Sequence, residues 1–114
     1  MGNRGNICME EGDGKKIYFY GHWSGDGLFK ILQSALKRGH SRWSDEQYLS
    51  RIIFCEMVKG DEQNLSGFGI STYVGDNEHP ILVVNSSKQT VSIEEDTKKS
   101  WSFEDFVNLK KDPR

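Results

Sequence analysis

Apolar positions along the chain switch between a period of two and a period near 3.6, and the switches mark the elements. Ile7 and Met9 alternate with polar neighbours over residues 5–11, and residues 16–21 (KIYFYG) are β-branched and aromatic. Both segments read as strands. Gly12-Asp13-Gly14 lies between them, and two glycines around an aspartate that tolerates left-handed geometry make a turn. The pair predicts a hairpin. Residues 22–27 (HWSGDG) form a glycine-rich loop. The period then lengthens: Leu28, Ile31, Leu32, Ala35 and Leu36 lay a helical stripe over 28–38. Lys37 and Arg38 fall in its last turn, where cations suit the helix dipole, and Gly39 follows as the C′ residue. Ser44-Asp45-Glu46-Gln47 has the form of a capping box. The helix it opens carries Tyr48, Leu49, Ile52, Ile53, Cys55 and Met57 over a wide arc, so deep burial is expected until Gly60 ends it.

Period two returns after a polar loop at 61–67. Phe68, Ile70, Thr72 and Val74 alternate over 68–74, ILVVN at 81–85 reads as a fully buried strand, and Val91 and Ile93 alternate over 89–94. The connections at 75–80 and 86–88 are short, so these three predict an antiparallel meander. Residues 94–99 read as a polar connection. Ser102 then has the position of an N-cap with Glu104 and Asp105 in the first turn. Phe103, Phe106, Val107 and Leu109 would pack that short helix on the body, leaving 110–114 as a frayed tail. The order ββααβββα predicts an α+β fold: an antiparallel sheet of about five strands with helices on one face. A single domain over 1–114 follows from the length.

Composition acts mainly by exclusion. A chain of 114 residues buries about two-thirds of its unfolded surface, enough for a core without metals or disulfides. Net charge is −2, with a small basic excess before residue 60 and an acidic excess after it. Neither half has the basic face of a duplex-DNA binder. The longest apolar runs are four residues, which predicts no membrane span, and no charged segment precedes an apolar one as in a signal peptide. Cys8 and Cys55 sit among apolar neighbours, which favours two buried thiols in a reducing cytoplasm over a disulfide or a reactive cysteine.

Four segments could carry chemistry. The HWSGDG loop feeds a helix N-terminus, an anion-binding arrangement, and Trp23 offers a face for stacking a base. The plainer alternative has Ser24 or Asp26 capping the helix and Trp23 plugging the core. Lys37-Arg38-Gly39-His40-Ser41-Arg42-Trp43 combines cations with an aromatic ring, or is a solvated loop. Arg51, at the edge of the second helix's apolar arc, suits either an internal ion pair or a phosphate fork. Phe68, between two glycines, is a stacking residue or strand core, and Asn77 in the DNEH turn reads a base edge or adopts left-handed geometry. Familiar catalytic sets are missing from the sequence: GxSxG, HExxH and a Walker loop do not occur, and His22, His40 and His79 are scattered. No metal or cofactor is expected. His22 with Asp26, or His79 with Asp76, remains as an acid–base pair.

The opening Met1-Gly2-Asn3-Arg4, followed by Tyr20-Gly21-His22-Trp23-Ser24-Gly25, resembles a group of small phage and prophage proteins. Members begin MGNRA and carry YLHWNG at the end of their second strand. Tyr48 and Arg51 resemble the group's YGWAR, and Phe68-Gly69-Ile70-Ser71 its VGID. The likeness runs through residues 1–95, and HW[NS]G is its most specific part. The group is identified with the anti-Thoeris sponges. These bind cyclic ADP-ribose-type signals without cleaving them and so silence a TIR-based bacterial defence. They assemble as dimers or larger homo-oligomers. The resemblance implies a purine stacked on Trp23 or Phe68 beside His22. It implies phosphates on Arg4, Arg51 or loop N–H groups, and ribose hydroxyls on Asp76 and Asn77. One departure stands out. Ser92-Ile93-Glu94-Glu95 replaces a segment near VGRE whose arginine could hold phosphate.

Three functions follow as expectations. The leading one is a non-enzymatic binder of a cyclic nucleotide signal in the cytoplasm of an infected bacterium. The second is a phage inhibitor acting by contact with a host defence protein. The third is a small nucleotide phosphodiesterase using His22 or His79.

Overall fold

The computed structural model describes residues 3–114, without the side chain of Thr97. Six strands and three helices follow one another as β1 (Gly5–Glu10), β2 (Lys16–Gly21), α1 (Leu28–Arg38), α2 (Glu46–Val58), β3 (Phe68–Ser71), β4 (Leu82–Asn85), β5 (Thr90–Ile93), β6 (Asp96–Ser102) and α3 (Phe103–Val107). Single 3₁₀ turns at Gly25–Gly27 and His40–Arg42 lead into α1 and α2. The strands form one sheet in the order β3-β2-β1-β4-β5-β6. β1 and β4 run parallel, and every other neighbouring pair is antiparallel. This is the expected α+β class.

Register divides the side chains between two faces. Ile7 opposes Phe19 and Leu82, Met9 opposes Ile17 and Val84, and Val84 opposes Val91. These residues make one face, and all three helices pack on it. Leu28, Leu32, Ala35 and Leu36 of α1, Leu49, Ile53 and Met57 of α2, and Phe103 and Phe106 of α3 join that core. The opposite face carries Asn6, Cys8, Tyr18 and Val83, and no helix covers it. Among the described residues its apolar cover is Val74 and Ile81, over Cys8, Tyr18 and Val83.

The expected meander of 68–74, 81–85 and 89–94 is corrected. β3 pairs with β2 at one edge, whereas β4 inserts beside β1 in the interior. Burial explains the split. Every residue of β4 is buried, so it needs a neighbour on both sides, whereas Ile70 of β3 is 58% exposed and tolerates an edge. The alternation of 68–74 ends at Ser71, where the chain leaves the sheet. A sixth strand lies where a polar connection was expected. β6 follows β5 through a register shift, and its one apolar anchor, Trp101, sits opposite Val91. Its exposed Lys98 and Lys99 suit an edge that must resist pairing with another chain.

Three further expectations are revised. Asp45, not Ser44, caps α2, its Oδ1 accepting from the Tyr48 amide at 3.3 Å. α2 buries only Leu49, Ile53 and Met57, and Cys55 points to solvent while Cys8 is enclosed. The tail at 110–114 is tied down: the Arg114 side chain is 4% exposed and donates to both Asp112 carboxylate oxygens. Burial opposes ionisation of Asp112, but the hydrogen bonds from Arg114 outweigh it and hold the carboxyl below its usual range.

Candidate functional site

The site lies on the helix-free face, where the segment after β3 crosses back over the sheet. Asn6, 2% exposed, stands on that face near the start of β1. A buried amide must spend its hydrogens, and Asn6 Nδ2 donates to the Asp76 carbonyl at 2.9 Å and to Asn77 Oδ1 at 3.1 Å. Beside it, the Glu78 amide donates to the Arg4 carbonyl at 2.8 Å, and the Arg4 amide donates to Glu78 Oε1 at 2.9 Å. Asn77 Nδ2 donates to the His79 carbonyl at 2.6 Å. These bonds fix residues 76–79 across the mouth of the sheet. Between that segment and β3 opens a pocket of about 250 Å³, walled by Asn6, Tyr20, Gly69, Ser71, Tyr73 and Asp76.

An aromatic row extends the pocket along the end of β2. Tyr20 and His22 share a face by alternation, and the Tyr20 hydroxyl and His22 Nδ1 are hydrogen-bonded at 2.6 Å. Trp23 meets His22 edge to face, with centroids 4.7 Å apart. Its indole is 66% exposed and lies over Gly67, where φ is +103° and a Cβ would press on the ring.

Asn3 anchors the loop that carries Trp23. Its carbonyl accepts from the Gly25 amide at 2.7 Å, and its Oδ1 accepts from the Asp26 amide at 3.1 Å. Its Nδ2 donates to Asp26 Oδ1 and to the Trp23 carbonyl. With the amide oriented this way, His79 Nε2, 2.6 Å from Asn3 Oδ1, carries the proton and donates. Gly25 lies so close to the His79 ring that no side chain would fit there. The expected capping by Ser24 or Asp26 is therefore corrected: Gly27 is the N-cap of α1 and Asp26 is occupied by Asn3.

The predicted residues divide. Asp76 lines the pocket, Asn77 is part of its floor, and Arg4 stands behind it with Nε 3.9 Å from Asp76 Oδ2. That Nε has no hydrogen-bond partner among the described residues. His22 and Trp23 continue the site. Phe68 does not join it: it opposes Gly21 on the helix face and packs on the core. Arg51 does not join it either, and stands exposed on α2. The 37–43 connection loses its aromatic, because Trp43 packs on Phe103 and its Nε1 donates to the Leu36 carbonyl at 2.9 Å. Neither acid–base pair forms: His22 bonds Tyr20 rather than Asp26, and His79 bonds Asn3 rather than Asp76. Met1 and Gly2 of the MGNR opening lie outside the described residues.

Asn6, Tyr20 and Tyr73 were missed. Tyr20 was legible, because it falls out of phase with Ile17 and Phe19 and so had to face away from the core. Tyr73 depends on where the chain leaves β3, which no local pattern marks.

Deeper on the same face, burial, with Glu94 and Glu10 nearby, pushes the Cys8 thiol up to about 12, partly offset by Lys16. Burial and its hydrogen bond to Glu94 also raise Tyr18. The Tyr18 hydroxyl donates to Glu94 Oε2 at 2.8 Å, and Lys16 Nζ lies 3.6 Å from the same oxygen. Glu94 thus completes an internal network.

Among the described residues no group of three or more His, Cys, Asp or Glu side chains could hold a metal ion. Among the described residues no helix is long and apolar enough to cross a membrane. No family model, curated protein or solved structure matches the chain.

Proposed function

We propose that this protein binds and sequesters a cyclic nucleotide signal of the cyclic ADP-ribose class, without cleaving it, as a phage anti-defence protein in the cytoplasm of its bacterial host. The observation that carries the reading is the composition of the open-face site. Tyr20 and Tyr73 line the pocket with Asp76, and His22 and Trp23 continue the aromatic row from Tyr20. A purine stacks on an exposed indole at about 1–3 kcal/mol per base. Ribose hydroxyls donate to the Asp76 carboxylate. Arg4, whose Nε lies 3.9 Å from Asp76 Oδ2 without a hydrogen-bond partner among the described residues, supplies positive charge for phosphate. The resemblance of the HW[NS]G segment points to the same ligand class.

A binder that must hold rather than turn over needs no proton-transfer pair. His22 and His79 suit that role, since each spends a ring nitrogen on fixing the site. The protein further forms a homo-oligomer across β3. This strand has a free edge, with exposed Leu65 and Tyr73 close to it in the chain and exposed Trp23 lying over Gly67 at its start.

The test is a thermal-shift screen against cyclic ADP-ribose isomers, cyclic dinucleotides and cyclic trinucleotides. Ligand at 100 times its Kd adds about 2.7 kcal/mol of stability. A shift with a cyclic ADP-ribose isomer, recovered intact after heat denaturation, is expected. Recovery of products would make the protein an enzyme. No shift with any ligand would leave inhibition by contact with a host protein, and a pull-down would identify the partner.

A further inference from the structure

We propose a second ligand site on the opposite face of β3, in the groove between α2 and the sheet, which takes a small amphipathic monoanion. Ile17, Phe19, Phe54 and Ile70 wall this groove, Phe19 and Phe54 meeting with ring centroids 5.6 Å apart. It encloses about 350 Å³, within the usual range of small-molecule sites, about 300–1,000 Å³. Ser50, Arg51 and Cys55 form its rim.

Arg51 sets the charge of the ligand. Arg38 pairs with Glu56 at 3.0 Å and Arg42 with Asp45 at 3.7 Å, but Arg51 has no ion pair among the described residues. Its helical neighbours three and four positions away are Gln47, Tyr48, Phe54 and Cys55, none of them acidic. A lone guanidinium beside an apolar wall has a stronger interaction with an anion than one in open water, because the wall lowers the local dielectric. Ser50 adds no donor, since its hydroxyl already donates to the Glu46 carbonyl at 2.7 Å. One guanidinium and no other rim donor fit one carboxylate or sulfonate, not a phosphate dianion. The apolar walls fit a hydrocarbon or aryl body and offer nothing to the hydroxyls and ring nitrogens of a nucleotide. Ile70 borders this groove and the open-face pocket alike, but Arg51 and Phe54 border only the groove of the two, and the proposal does not rest on the nucleotide reading.

The probes are 8-anilinonaphthalene-1-sulfonate and decanoate, titrated into the native full-length protein. Saturable sulfonate fluorescence at one site per chain, displaced by decanoate and not by decanol, is expected. Arg51→Gln should weaken the sulfonate at least tenfold with an unchanged melting temperature. Decanoate should also slow alkylation of Cys55 in the unmutated protein, a readout that needs no variant. Equal affinity for Arg51→Gln and wild type would overturn the proposal. So would a groove closed by a second copy, seen as a Cys55 thiol that reacts only when the protein is diluted to monomer.

Discussion

Replacing Trp23 with alanine separates recognition from folding, because the structure makes opposite demands on the two. The indole is 66% exposed, touches the edge of His22 and lies over Gly67, and is outside the helix-face core. Exposed positions of this kind change stability by about 0.5 kcal/mol or less when substituted. Loss of a stacking partner for a base costs about 1–3 kcal/mol of binding. At 1.4 kcal/mol per tenfold, that is about a 5- to 150-fold rise in Kd. Two measurements on one preparation decide the matter: titration calorimetry with the cyclic ADP-ribose isomer that the proposed function expects to stabilise the protein, and urea unfolding followed by circular dichroism. The expected result is weakened binding at an unchanged urea midpoint. An unchanged Kd would remove Trp23 from the site. A stability loss of about 3–5 kcal/mol, the cost of deleting a buried aromatic, would make it a core residue.

Three further outcomes test the surroundings of the site. Asn6→Ala strands the Asp76 carbonyl and the Asn77 side chain and should cost about 1–3 kcal/mol, with faster amide exchange confined to residues 75–79; protection equal to wild type there would refute the pinning role. One thiol per chain, Cys55, should react with a disulfide reagent at pH 8, and Cys8, pushed up to about 12 and enclosed, should react only after denaturation; two fast thiols would place Cys8 wrongly. Glu46 is raised by desolvation and by the neighbouring Glu11 and Asp13, so the folded state binds its proton more tightly than the unfolded state does. Its contribution is therefore lost as pH rises, and Glu11→Gln should stabilise by a few tenths of a kcal/mol at pH 7, with the gain vanishing below the ordinary value of 4.5; a gain that persists at pH 3 would refute the coupling.

The sequence was most legible where periodicity acts alone. The stripe of Leu28, Leu32, Ala35 and Leu36 and the hairpin of β1 and β2 stand as expected, because each is determined by neighbours a few residues away. The meander failed for a different reason. Short connections favour pairing in chain order, but β4 is buried throughout and competes for an interior place that the half-exposed β3 cannot use. β6 was invisible because an edge strand can be polar, with Trp101 as its only apolar signal. At the candidate site, Trp23, Asp76, Asn77 and His22 stood out as residue types in loops, and Arg4 only through the resemblance of the MGNR opening. Phe68 was misplaced by its flanking glycines, which suggested exposure, whereas register with Gly21 turns it to the core. Arg51 was misplaced because helical spacing fixes the edge of an apolar arc but not which groove that edge borders.

The hydrogen bonds of β1 bear directly on why the open-face site is suited to holding a ligand. Asn3, Arg4 and Asn6 lie within four consecutive positions, yet they bond both the loop bearing Trp23 and the segment bearing Asp76. β1 sits between β2 and β4, so Asn3 and Arg4 just before it and Asn6 within it reach both walls. Under the proposed function, walls fixed before binding lower the ordering entropy that binding must overcome. The fixing also commits the chemistry. His79 Nε2 holds Asn3, and His22 Nδ1 holds Tyr20, so a proton-transfer role for either nitrogen would first release a wall of the pocket. Each ring keeps its other nitrogen, His22 Nε2 and His79 Nδ1, outside these bonds, so the proposed holding role rests on the pinned walls of the pocket and not on the histidines.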